Sequence, residues 1–350
     1  MRPIDPSKIR RILITRSDRI GDVVLSTPIF RAVKEKYPAC YLAVMVIKEN
    51  QALVQGNPWV DEVITYDKKN VHRRWLETIL FGVELRKGKF DLVIHLHPTN
   101  RMYVISFLAR IPIRVGYKRK SFFLLTHYLP ERKREGKFHE AEYNFDLLNS
   151  IGILKPSVLE FYFPLHSQDR DQLISLFGSF SGRYIVFHPS ASCISKRWPL
   201  DRFAVLADRL VNRYGVGAVV IGEGEGLKHA AKMASLMKET LFNFAGKLSL
   251  GMLGWLLKDA QLLVSNDSGP VHIAAALGTP VISIFGRNQP GLSVTRWRPL
   301  SENSSYLHKD VGCVVCLAHR CQINFKCLNE LKLEEVMTEV EKYEPFLVSS

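Results

Sequence analysis

Long apolar runs are missing from this 350-residue chain. No stretch approaches the roughly 20 apolar residues that a bilayer-spanning helix needs. The opening residues, MRPIDPSKIRRILITR, lack the apolar core of about 7–15 residues that marks a signal peptide. Low-complexity tracts and short internal repeats are also absent, so linker-like and solenoid architectures are excluded. Acidic residues are in deficit, 34 Asp+Glu against 48 Lys+Arg, for a net charge of +14. These features describe a soluble globular protein, expected in the cytoplasm, with room for two domains.

The excess charge is concentrated in one half. Residues 1–150 hold 27 Lys+Arg against 16 Asp+Glu, whereas the rest of the chain carries only +3. Clusters stand at Lys118-Arg119-Lys120 and Arg132-Lys133-Arg134. A one-sided basic half implies an anionic partner: a membrane surface, nucleic acid or a phosphorylated substrate. Any single cluster is equally readable as a solvated face.

The apolar pattern alternates between two periods. Strands are predicted at 11–15, 41–47, 60–66 and 90–96, with an amphipathic helix over 23–37 and further helical segments between them. A second series begins after Leu165, with strands at 183–188, 217–221, 262–264 and 281–285. Helices are predicted there over 201–214, 227–238 and 250–257. The pattern is α/β, two doubly wound parallel-sheet domains joined near 155–182. The expected boundaries are 1–165 and 166–330, followed by a last helix within 331–350.

Residues 265–286, SNDSGPVHIAAALGTPVISIFG, are the most informative stretch. An apolar strand ends in Ser265-Asn266-Asp267-Ser268-Gly269, a small-residue helix follows, and a Gly-Thr-Pro turn leads into another strand. Such a junction binds anions, because free N–H groups and the positive helix end point outward. Asp267 and Ser268 are also good helix caps. This stretch resembles the nucleotide-binding signature of glycosyltransferase family 9, the ADP-heptose:lipopolysaccharide heptosyltransferases. Asp267, Ser268, Gly269, His272, Gly278, Pro280, Phe285 and Gly286 fit its pattern.

The resemblance implies the GT-B architecture, two facing Rossmann-like domains with a cleft between them, and a last helix returning to the first domain. It also extends to two other segments. Asp22, after Gly21 and six residues before Pro28, matches the proposed general base of the family. Taken by itself, Asp22 also reads as the N-cap of a helix starting at Val23. Lys196, in Lys196-Arg197-Trp198-Pro199, matches a Lys that neutralises the leaving ADP. Alone, it is an ordinary loop lysine.

Ser190, Ser192, Ser268 and Gly269 are expected near the donor phosphates, and Asp267 near the sugar. His272 is either a phosphate contact or a core histidine. Glu225, preferred over Glu223 in the glycine-rich Gly222–Gly226 loop, matches the position that holds the ribose hydroxyls. Leu248 matches one near the adenine. His97, Asn100 and Arg101, together with the 118–120 and 132–134 clusters, are acceptor-side candidates. The acceptor implied is an anionic lipid A core glycolipid.

The only Asp-x-Asp, Asp169-Arg170-Asp171, is predicted to start a helix, so no catalytic metal is expected. Of six cysteines, Cys313, Cys316, Cys321 and Cys327 cluster. Structural zinc, ahead of an iron–sulfur cluster, and simply reduced thiols are the readings. The function implied is inverting heptosyl transfer from an ADP-sugar, peripheral on the cytoplasmic face of the inner membrane, without nucleic acid. Transfer of another nucleotide sugar, or a non-catalytic binder of anionic glycolipid or nucleic acid, are the alternatives.

Overall fold

The computed structural model describes residues 4–178 and 182–348. These divide into two compact units, one running to Pro164 and one from Leu165, with Glu135–Lys137 grouped in the second. No helix among the described residues is long and apolar enough to cross a membrane.

The first unit holds six parallel strands: β1 (Arg11–Arg16), β2 (Tyr41–Ile47), β3 (Glu62–Tyr66), β4 (Leu92–His95), β5 (Ile113–Lys118) and β6 (His127–Pro130). Their order is β3-β2-β1-β4-β5-β6. Central strands are apolar on both sides, with Leu13 level with Ala43 and Val93. Such strands need helices over both faces. The helices are α1 (Ile20–Val24), α2 (Thr27–Lys36), α3 (Trp75–Glu84), α4 (Asn100–Leu108) and α5 (Glu140–Asn149).

The second unit repeats the plan. Its strands are β7 (Tyr184–His188), β8 (Gly217–Val220), β9 (Leu241–Asn243), β10 (Leu262–Asn266), β11 (Val281–Phe285) and β12 (Ser304–His308). Their order, β12-β11-β10-β7-β8-β9, is the first sheet's order read from the other edge. The helices used below are α6 (Ser167–Phe177), α7 (Leu200–Tyr214), α8 (Gly226–Leu236), α9 (Leu250–Lys258) and α10 (Gly269–Ala276). Both sheets therefore have the Rossmann strand order, which places a topological switch point between β1 and β4 and between β7 and β10.

Two elements differ from expectation. The single helix over 23–37 is two, α1 and α2, because Pro28 lacks the N–H that would continue α1. Side chains complete the break: Thr27 Oγ1 donates to the Val24 carbonyl at 2.8 Å and Ser26 Oγ to that of Asp22 at 2.7 Å. The last long helix, Leu333–Glu341, was expected to return to the first domain. Its buried Val336 and Val340 instead join the second unit's core with Leu206 and Leu210 of α7.

Candidate active site

Arg16 ends β1 at the first switch point with its side chain only 1% exposed. A guanidinium there needs compensation, since desolvating a charge is expensive. It has three carboxylates: Asp22 at 2.6 Å, Asp18 at 2.8 Å and Glu140 at 2.9 Å. Asn144, on α5 with Glu140, accepts a further bond from Arg16 at 2.9 Å. Lys133 is buried in the same cluster, its Nζ 2.6 Å from Glu140. The 132–134 run is thus not one surface patch: Lys133 is interior, whereas Arg132 and Arg134 are exposed.

Asp22 is not the cap of its helix. α1 begins at Ile20, and Arg19 holds the N-cap position. The carboxyl of Asp22 faces Arg16, with 13% of its side chain exposed. Burial pushes its pKa up to about 6, the charge of Asp18 adds to the rise, and Arg16 opposes it. Three acids stand against two cations in the cluster, and burial together with the charges of Asp18 and Glu140 outweighs Arg16 and Lys133 in holding a proton on Asp22. His97 lies beside it, Nδ1 3.9 Å from Asp18. Burial and the charge of Arg16 bring His97 down to about 4, so it is neutral at physiological pH.

The other first-unit candidates separate in space and employment. Arg101 donates to the carbonyls of His72 and Arg73, each at 2.7 Å, and so ties down the segment before α3. Asn100 opens α4. Lys118, Arg119 and Lys120 are all exposed at the carboxyl end of β5, and Lys118 sits 5.1 Å over the Phe122 ring.

At the second switch point, His188 ends β7 and Asn266 ends β10. Trp198, 1% exposed, anchors the segment between them. Its backbone N–H donates to Asn266 Oδ1 at 3.0 Å and its indole to the Leu331 carbonyl at 2.9 Å. That anchor sets Lys196, two residues earlier, beside Asp267 at 2.7 Å. Arg287, which follows Phe285-Gly286 and which sequence reasoning passed over, approaches the same carboxylate at 3.3 Å. One buried anion lies between two buried cations, for a surplus positive charge.

Asp267 therefore holds Lys196, and Ser268 is the N-cap residue of α10 without a side-chain cap bond. Ser268 Oγ is 2.9 Å from His188 Nδ1, and burial keeps His188 neutral, its pKa down to about 4. No side chain caps the start of α10 at Gly269; Pro270 has no N–H to offer, and that of Val271 donates to the Ser268 carbonyl at 3.3 Å. His272 is buried inside α10, its ring 6.4 Å from that of Trp297.

Ser190 Oγ lies 3.1 Å from His229 Nδ1. Gly226 lets α8 start close to Ser190, since a Cβ there would stand 3.0 Å from that hydroxyl. Glu225, well exposed, pairs with Arg197 at 2.9 Å, while Ser192 is exposed and Leu248 half-buried. Asp169 and Asp171 lie in α6, and Asp169 accepts from Ser249 Oγ at 3.1 Å.

Cys313, Cys316, Cys321 and Cys327 line a cavity of about 150 Å³ together with Arg287. No three His, Cys, Asp or Glu side chains among the described residues are arranged to hold a metal ion. Two of these sulfurs bond the backbone: Cys327 donates to the Gly286 carbonyl at 2.8 Å, and Cys321 accepts from the Phe325 N–H at 3.2 Å.

Comparison with known proteins agrees with this plan. The model of "Glycosyltransferase family 9 (heptosyltransferase)" matches residues 79–326. Lipopolysaccharide heptosyltransferase 3 of Escherichia coli K12 is 27% identical over 350 residues, covering 93% of this chain and 95% of that protein. The glycosyl transferase family 9 structure from Veillonella parvula superposes with a TM-score of 0.85 at 24% identity, covering 98% of each chain. The E. coli ADP-heptose lps heptosyltransferase II structure gives a TM-score of 0.80 at 22% identity, covering 96% of this chain and 98% of that one.

Proposed function

The chain belongs to glycosyltransferase family 9 and has its GT-B fold, and from that premise we propose that it transfers heptose from ADP-L-glycero-D-manno-heptose to the inner core of lipopolysaccharide, inverting the anomeric centre. The observation that carries this reading is Asp22, buried against Arg16, free of capping duty and with its pKa raised to about 6. A carboxylate tuned toward neutrality is suited to general-base work. It accepts the proton of an acceptor hydroxyl as that oxygen attacks the anomeric carbon. The bond from that carbon to the β-phosphate oxygen breaks, and ADP leaves with the electron pair.

The second unit supplies the charge that ADP needs on departure. Lys196 and Arg287 exceed Asp267 by one positive charge. The N–H of Gly269 and the hydroxyls of Ser190, Ser192 and Ser268 complement a diphosphate. His272 lies in the first turns of the same helix. Glu225 is assigned to the ribose hydroxyls and Leu248 to the adenine side. Lys118, Arg119 and Lys120, with His97 and Arg101, are assigned to the anionic acceptor, a Kdo-bearing lipid A core. The enzyme then works at the cytoplasmic face of the inner membrane.

Thermal unfolding with ADP, UDP, GDP and CMP, each alongside its sugar donors, tests the donor assignment. A ligand at about 100 times its Kd stabilises the fold by roughly 2.7 kcal/mol. Selective stabilisation by ADP and ADP-heptose is expected. Preference for UDP or GDP moves the substrate, and silence with all four overturns the assignment.

A further inference from the structure

We propose that α3 is the surface by which this protein docks on an anionic lipid bilayer. Leu76, Ile79, Leu80 and Val83 follow the i, i+3, i+4, i+7 spacing that normally faces a core. Here they face outward, 64%, 40%, 59% and 41% exposed, with Trp75 beside them at 50%. The buried side of α3 is Thr78 and Gly82. A Cβ on Gly82 would stand 3.1–3.2 Å from Leu108 and Ile105 of α4, so the helix is pressed onto α4 through its smallest residue. Arg101 fixes the approach to α3, its guanidinium 5.1 Å over the Trp75 ring. The apolar stripe is therefore held outward by packing.

Charge identifies what covers it. Residues 68–89 carry seven Lys+Arg and two Glu. Exposed Arg73 and Arg74 precede the stripe, and exposed Lys87 and Lys89 follow it. Of the acids, Glu77 is half-buried and Glu84 pairs with Lys87 at 3.5 Å. An apolar helix face bracketed by cations, with a Trp at its edge, matches the boundary between anionic headgroups and acyl chains. A second copy fits poorly. A two-fold contact along α3 sets Arg73 and Arg74 against Lys87 and Lys89 in the antiparallel arrangement, and like against like in the parallel one. Bilayer docking rests on the proposed glycolipid acceptor only for its purpose, not for its physics.

The test is flotation of the full chain with vesicles of phosphatidylglycerol and phosphatidylethanolamine, against vesicles of phosphatidylcholine alone. Binding to the anionic vesicles is expected, weakened by salt. Leu76→Glu with Leu80→Glu abolishes it, while circular dichroism and melting stay unchanged because both side chains are exposed. Arg73→Gln with Arg74→Gln weakens it about 25-fold, since each cation near the surface contributes about a fivefold factor. Heptose transfer to a water-soluble, deacylated acceptor is measured in parallel, and the Leu variant retains it.

Transfer without vesicle binding overturns the docking and leaves the enzymatic reading standing. Vesicle binding without transfer does the reverse. Equal binding to phosphatidylcholine, or a wild-type dimer that the Leu variant dissociates, also overturns it.

Discussion

The two units place oppositely signed clusters at the same address in the same fold. Each sheet has the Rossmann order, and each cluster sits at the carboxyl end of the strands flanking the switch point. In the first unit two cations, Arg16 and Lys133, face three carboxyl groups, Asp18, Asp22 and Glu140. In the second, two cations face one carboxylate, Asp267. Burial first, and the neighbouring carboxylates after it, raise the proton affinity of Asp22, which suits a base. The excess positive charge attracts phosphate, which suits a leaving group. The fold supplies a location, and under the proposed function one added or missing acid sets which half of the reaction each cluster serves.

Removing the proposed base should cause the largest loss. Asp22→Asn keeps the size and the contact to Arg16 but cannot take a proton. Turnover is expected to fall by about 10²- to 10⁴-fold. ADP-heptose affinity by calorimetry should be nearly unchanged, because the donor is assigned to the other unit. Equal losses in turnover and donor affinity would remove the assigned role.

Lys196→Met follows, since it converts the second cluster's surplus into a neutral Arg287–Asp267 pair. A loss of about 10²- to 10³-fold in kcat is expected if the lysine meets charge that develops on ADP. Unlike Asp22→Asn, this change should also weaken ADP itself. Unchanged ADP binding with normal turnover would show that the positive surplus has no bearing on the donor.

The sequence foretold the second cluster far better than the first. Lys196 and Asp267 lie in two short motifs at strand ends, and both were expected at the donor. Strands β2 and β11 were predicted to the residue because buried parallel strands are continuous apolar runs. Edge strands such as β9 and β12, short and half-exposed, have no such signature. The partners of Arg16 were illegible for another reason. Glu140 is 124 positions away, and only tertiary packing of α5 brings it to β1. Lys133 was hidden in a basic run that reads as surface. Arg287 offered one signal, a cation directly after a strand-ending Gly, which reads equally well as a solvated loop residue.

The smallest expected effect is the sharpest test of the charge argument. A base must be ionised to act, so if Asp22 fills that proposed role kcat/KM should fall about tenfold per pH unit below a limb near pH 6. His97 does not account for that limb, since burial and Arg16 bring it to about 4. The charge of Glu140 raises the proton affinity of Asp22, and that of Lys133 lowers it. Glu140→Gln should therefore move the limb to lower pH, and Lys133→Gln to higher pH. Stability responds to Asp22 with the opposite sign. Its folded pKa lies above the unfolded value, so the native state holds the extra proton. This group's contribution is complete below about pH 4 and is lost as pH rises through about 6. A merely structural cluster would lower melting temperature in both variants and leave the limb in place. Opposite displacement of the limb in the two variants is the result that only a charge-tuned base produces.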